Sequence, residues 1–145
     1  MAMNEVVVSE ATRADLPALA EVVLAWEQRT PRMHSAYSAA EITGFIDDAF
    51  DKRVILVAGD PAQAYLAFDP ETLRIGGLYS NITGSGVGKA LMDCIKEVRD
   101  YLWLNTHVPN EAAQKFYKRE GFVEISNEGA EPSNIMPEIS MEWCR

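Results

Sequence analysis

The spacing of apolar residues changes several times along the chain, and each change marks an element. EVVVSEA reads as a first strand. Thr12 and Asp15 then form a capping-box pattern ahead of Leu16, Leu19, Ala20, Val23 and Trp26, which are spaced for one helix face. After the break RTPRMHSAY, Ser38 and Glu41 repeat the capping pattern, and Ile42, Phe45, Ile46 and Phe50 predict a second helix. RVILVA, AYLAFD and TLRIGGLYS, separated by turns at Gly59 to Pro61 and at Pro70, predict three successive strands. Val87, Leu91, Cys94, Ile95 and Val98 mark a third helix, and YLWLNTHV a fifth strand. Asn110 caps a short helix that stops at Gly121, and FVEIS and EISMEW close the chain as strands. The order β-α-α-β-β-β-α-β-α-β-β contains both hairpins and helical crossovers. It therefore predicts an α/β fold with a mixed sheet flanked by about four helices.

With 145 residues, no internal repeat and no Pro/Gly-rich linker, the chain is expected to be a single domain over residues 1–145. The longest apolar runs, VILVA and AYLAF, are far below the roughly 18 residues of a membrane span. The amino terminus lacks a basic segment followed by an apolar one, so a cytoplasmic protein without a membrane partner is expected. Cys94 and Cys144 have no metal-ligand spacing, and no metal is expected. Cys94 falls on an apolar helix face and reads as core. The formal charge of -9 argues against nonspecific nucleic-acid binding, which depends on Lys and Arg neutralising phosphates.

The candidate chemistry starts at TGSGVGK, where a strand feeds a glycine-rich turn that opens a helix. Such a turn aims several backbone N–H groups and the positive end of a helix dipole at one point, as an anion site requires. Two nucleotide motifs fail by counting. A phosphate-binding Walker loop needs glycine and a hydroxyl residue where Thr83 and Ala90 stand, and a dinucleotide fingerprint needs its third glycine where Lys89 stands.

Thr83, Gly84, Ser85, Gly86, Val87 and Gly88 instead match, except at the first position, the [Q/R]-x-x-G-x-[G/A] pattern of the GNAT (GCN5-related) N-acetyltransferases. NEAAQKFYKREGF resembles the family's second segment at Asn110, Ala113, Phe116, Tyr117, Gly121 and Phe122. The two motifs are correctly ordered, and the element order is also the family's, so the resemblance covers essentially the whole chain. It implies a V where the fourth and fifth strands splay apart to admit acetyl-CoA, and direct attack by an amine on the thioester. Thr83 replaces the usual Arg or Gln. The approach to the loop is about two residues shorter than usual, which leaves the register of Leu78, Tyr79 and Ser80 open.

Carried over residue by residue, the resemblance puts pyrophosphate on the N–H groups of Ser85, Gly86, Val87, Gly88 and Lys89. Backbone groups of Leu78, Tyr79 or Ser80 would bind pantetheine and polarise the acetyl carbonyl. Asn110, also a helix cap, and Tyr117 would touch the cofactor from across the cleft. Tyr117 is the candidate acid for the departing thiolate, although a phenol is a poorer donor than the thiol by about 2 kcal/mol in water. The acceptor has the reverse problem, since only about one primary amine in a thousand is neutral at pH 7. No Glu lies on the fourth strand proper. His107, with an imidazole's near-neutral intrinsic range, is the candidate base, and Asn105, His34 and Glu27 are candidate acceptor contacts. Trp26, Trp103 and Trp143 read as core or cleft wall.

These residues together describe an acetyl-CoA-dependent N-acetyltransferase acting on a primary amine, with a small molecule favoured as acceptor and a homodimer compatible with the family. A protein amino terminus or lysine is the alternative acceptor. A degenerate domain that binds acyl-CoA without transfer is the alternative from another class, and the short loop and missing carboxylate are its support.

Overall fold

The computed structural model describes residues 7–30, 37–59, 61–81, 85–125 and 138–145. Its elements run β1 (Val8–Glu10), α1 (Leu16–Arg29), α2 (Ala39–Ala49), β2 (Val54–Ala58), β3 (Ala64–Phe68), β4 (Ile75–Ser80), α3 (Val87–Val98), β5 (Tyr101–His107), α4 (Glu111–Arg119), β6 (Val123–Ile125) and β7 (Glu138–Cys144). This is the order the pattern predicts. The Thr12–Asp15 box caps a single 3-10 turn, Arg13–Asp15, from which α1 continues. Ser38 caps α2, with the Glu41 N–H donating to its hydroxyl at 3.2 Å, and Asn110 caps α4.

Two antiparallel sheets share the core. The first has strand order β1-β2-β3-β4, the second β5-β7-β6. On β2 and β3, Ile55, Val57, Tyr65 and Ala67 face α1 and α2, whereas Leu56, Ala58, Ala64, Leu66 and Phe68 face α3. Both faces are therefore covered, which is why VILVA and AYLAF are continuous apolar runs rather than alternating ones. Leu91, Met92 and Ile95 of α3 join Leu102, Leu104 and Met141 of the second sheet in one core. Leu91 is fully buried, and its truncation to alanine would cost about 2 to 5 kcal/mol.

Gly121 ends α4 in a left-handed conformation (φ 93°). Its N–H donates to the Lys118 carbonyl and that of Phe122 to the Tyr117 carbonyl, at 3.1 and 2.9 Å, the paired bonds of a Schellman motif. The turn is held from α3 by Lys96, whose ammonium donates to the Glu120 carbonyl at 2.6 Å and to its carboxylate at 3.0 Å.

Among the described residues, the two sheets pair at one point, a parallel bridge between Arg74 and Trp103. Among the described residues, the parallel component predicted for the sheet is confined to that bridge. Beyond it, β4 carries a bulge, because Ala67 pairs with Gly77 while Phe68 pairs with Ile75 and leaves Gly76 over. A bulge bends and twists its strand. Placed just past the bridge, it turns β4 away from β5, and the V opens toward the carboxyl ends of both strands.

Candidate active site

Register determines which backbone groups line the V. In an antiparallel ladder, directly opposed residues alternate between exchanging hydrogen bonds and pointing theirs outward. The Asn81 N–H donates to Gln63 in the β3–β4 ladder, at 2.8 Å. Two residues back, the Tyr79 and Tyr65 pair therefore also exchange bonds, and Leu78 and Ser80 point theirs away from β3 toward β5. On the other side, the Arg145 N–H donates to Asp100 at 2.8 Å, so Leu102, Leu104 and Thr106 bond β7 while Trp103, Asn105 and His107 point toward β4. The Trp103 N–H, donating to the Leu73 carbonyl at 3.3 Å, follows that rule. Leu78 and Ser80 thus face Asn105 and His107 across a gap in what would otherwise be a continuous sheet. Of the three residues whose register the sequence leaves open, Tyr79 is the one whose backbone belongs to β3.

Three carbonyls at the mouth already have partners. The Arg29 guanidinium, at the end of α1, donates to the carbonyls of Ser80 and Asn81. Asn110 N–H and the Gln114 side chain donate to the His107 carbonyl at 2.9 and 3.3 Å. The backbone groups directed into the gap include the amide N–H groups of Leu78, Asn105 and His107 and the carbonyls of Leu78 and Asn105. Two buried side-chain atoms, Asn81 Oδ1 and His107 Nδ1, have no hydrogen-bond partner among the described residues. Each lies at the carboxyl end of one of the splayed strands. Buried polar atoms are normally satisfied, and two orphans at one mouth are what a site built for a polar ligand leaves behind.

The same mouth meets the amino end of α3. Gly86 sits at φ 80°, in open space, and its carbonyl accepts the first helical bond from Ala90 at 3.0 Å. The N–H groups of Val87, Gly88 and Lys89 consequently have no helical partner. Ser85 directly precedes this turn, and Thr83 and Gly84 lie outside the described residues. The two described glycines of the loop serve different needs. Gly86 supplies the left-handed turn, whereas a Cβ on Gly88 would meet the Phe116 ring at 3.3 Å, so Gly88 lets α3 and α4 pack closely. The Lys89 ammonium is held by Asp93 and Glu120 at 3.4 and 3.6 Å, with Glu120 the stronger influence in keeping it protonated.

Tyr117 projects from α4 into the core against Phe116 and Phe122. Burial, and secondarily the Tyr79 phenol, pushes its pKa well up. It stays protonated and is a weaker acid than a phenol in water. Asn110 caps α4 by accepting the Ala113 N–H at 3.2 Å on its Oδ1, which leaves its amide N–H groups able to donate elsewhere.

Along β5, Leu102 and Leu104 turn into the α3 core, so Trp103, Asn105 and His107 lie on the opposite face. Tyr117 belongs to the core on the α3 face, whereas His107 is on the other face of β5. Asn105 Oδ1 accepts from Ser140 Oγ at 2.6 Å, an arrangement that fixes the amide. Glu27 lies on α1 within electrostatic reach of Tyr79, whose phenol is pushed up first by burial and then by this carboxylate. His34 lies outside the described residues.

Sequence reasoning missed the Tyr79 side chain, which stacks edge-on against Trp26 at 5.2 Å and lies over Gly77, where a Cβ would be 2.9 Å from its ring. It also missed Arg29, which in sequence is only a basic residue in a helix's last turn, a common complement to the helix dipole.

Among solved structures, the chain is similar in fold to PaiA N-acetyltransferase from Thermoplasma acidophilum in complex with coenzyme A. The TM-score is 0.76 at 18% identity, with 97% of this chain and 99% of that one covered. It is also similar to yncA from Salmonella typhimurium with its cofactor acetyl-CoA (0.71, 14%, 96% and 93%). A third is the ribosomal-protein-S18-alanine N-acetyltransferase from Escherichia coli (0.69, 19%, 97% and 94%). No curated protein matches the sequence significantly. The profile of the Acetyltransferase (GNAT) family matches residues 4–122, a span that contains the splayed strands, the glycine loop and α4. With that match over most of its length, the chain belongs to the GNAT acetyltransferase family and is an acyltransferase.

Proposed function

We propose that this protein binds acetyl-CoA in the V and transfers the acetyl group to a primary amine, favouring a small-molecule acceptor, by direct attack in a ternary complex. The observation that carries this reading is the gap between β4 and β5. Its outward-pointing amides alternate as those of a missing strand would, and it ends at the free N–H groups of α3. Pantetheine, an extended chain with two amides, can pair with Leu78 and Ser80 as a strand pairs with an edge, while pyrophosphate takes the amides of Ser85 to Lys89. The Asn110 amide reaches the same ligand from α4. Coenzyme A in one structural neighbour and acetyl-CoA in another support the choice of ligand.

In the reaction, the neutral amine nitrogen adds to the thioester carbonyl, the C–S bond breaks and CoA leaves as the thiolate. A backbone N–H at Leu78 or Ser80 stabilises the carbonyl oxygen as charge develops on it. His107 takes the amine's proton through its unpartnered imidazole nitrogen, and Asn105 and Glu27 contact the acceptor on that face. Tyr117, from the core on the α3 face, donates a hydrogen bond to the departing sulfur. Its raised pKa suits a neutral donor better than a full acid, so the thiolate's own proton comes by way of solvent.

Calorimetric titration with acetyl-CoA, of wild type beside Gly86→Glu, tests the site. Binding by wild type that the variant loses supports the reading, and no binding by wild type sinks it. Amine-dependent thiol release, reduced by Tyr117→Phe, separates an enzyme from a domain that only binds acyl-CoA. Binding without any release across metabolite amines and peptide amino termini would establish the second.

A further inference from the structure

The closed end of the V is built around one side chain. Trp103 bonds the turn between β3 and β4 three ways. Its backbone N–H donates to Leu73, its indole N–H donates to the Thr72 carbonyl at 2.8 Å, and the Arg74 guanidinium lies 5.5 Å above its ring. The turn is held in the shape that presents those carbonyls. Leu73 occupies a left-handed conformation, φ 67°, that a leucine adopts only when its surroundings impose it. Its N–H donates to Asp69 O, and its side chain packs on the core. Asp69 braces the other side, its carboxylate accepting the N–H groups of Glu71 and Thr72 at 2.9 and 3.4 Å, with Arg53 at 3.6 Å. Among the described residues this is the one place where the two sheets pair, immediately before the Gly76 bulge turns β4 away.

We propose that Trp103, braced by Asp69 through the turn, is a positioning residue that pins the two sheets together and so sets the width of the acyl-CoA gap. The inference rests on the reading of the V as the acyl-CoA site. Without the indole bond, the joint keeps its backbone bridge and the shared core but loses its side-chain brace, and the spacing of the two sheets beside the bridge is less tightly set. Only a fraction of molecules then hold Leu78 and Ser80 at the spacing pantetheine needs, and apparent affinity falls by that fraction. The lost bond is solvent-exposed, so the fold itself should survive its removal.

The test is acetyl-CoA calorimetry on wild type, Trp103→Phe, Asp69→Ala and the double variant, with melting temperatures taken alongside. Trp103→Phe keeps a ring beneath Arg74 and removes only the indole donor. A pin predicts full binding stoichiometry with a raised Kd, the loss of one hydrogen bond of about 1 kcal/mol setting a ceiling of about fivefold. It also predicts that the double variant is no weaker than the worse single one, because both loosen the same joint. A merely structural role would lower stoichiometry, through misfolded molecules, and leave Kd unchanged, and that result overturns the proposal. So does an additive double variant. Wild-type protein that fails to bind overturns the acyl-CoA reading itself, whereas binding shared unchanged by wild type and Trp103→Phe overturns the pin alone.

Discussion

Alanine at Gly86 and at Gly88 should have different consequences, because the two glycines exist for different reasons. At Gly86 a methyl group would touch nothing, but the backbone sits at φ 80°. An L-residue in the left-handed region costs about 1 to 2 kcal/mol, partly offset by the roughly 0.4 to 1 kcal/mol gained when an alanine restricts the unfolded chain. The net is about 1 kcal/mol of lost stability, or about 3 °C in melting temperature for a chain of this size. At Gly88, inside α3, alanine improves helix propensity by up to about 1 kcal/mol while pressing on the Phe116 ring at 3.3 Å. These contributions nearly cancel, and the melting temperature should stay within about 2 °C of wild type. Differential scanning calorimetry of the two variants reads both numbers, and acetyl-CoA titration reads the consequence. Gly86→Ala should bind more weakly, because relief of its strain rotates the N–H groups that open α3, whereas Gly88→Ala should bind nearly as well as wild type. If Gly86→Ala melts at or above wild type, the left-handed turn is not required and the geometry assigned to the loop is wrong.

Other perturbations follow from the same geometry. Glu120→Ala removes the carboxylate from a pair in which Glu120 is 7% and Lys96 17% exposed, and should cost about 2 kcal/mol in urea unfolding. That is below the usual cost of breaking a buried pair because Lys96 keeps the Glu120 carbonyl and the Trp143 ring; a loss under about 0.5 kcal/mol would show the pair to be solvated. Burial raises the phenols of Tyr65, Tyr79 and Tyr117 above the unfolded value near 10. Their contribution is complete below pH 10 and is lost as pH rises beyond it, since the unfolded chain releases protons that the fold retains. Melting temperature should fall between pH 10 and 11.5, less steeply in Tyr117→Phe, and equal slopes in the two proteins would refute the assignment. His107→Gln should lower turnover at pH 7 by about 10²-fold or more, with a smaller deficit at pH 9, where more of the amine is already neutral. A deficit that does not change with pH would remove the base role.

The sequence by itself determined the elements, their order and most of their ends. Helix caps, apolar spacing and turn residues act within about four positions, and each is written where it acts. Ser38 with Glu41, Asn110 with Ala113, and Gly121 with the end of α4 all do in the structure what their positions predict. The glycine loop was legible for the same reason, being a local device made of consecutive backbone groups.

Only the tertiary structure decided what joins across distance. It placed β7 between β5 and β6, and among the described residues it broke the sheet after a single bridge. Which amides of β4 face the gap depends on a one-residue parity set by pairing with β3, and a strand's own sequence does not contain that parity. Packing likewise gave Gly88 its purpose, because Phe116 is distant in the chain and adjacent in space. The Trp103 joint, the Arg29 bond to the end of β4 and the burial of Tyr117 have the same origin. Each depends on two segments meeting, and only the folded chain brings them together.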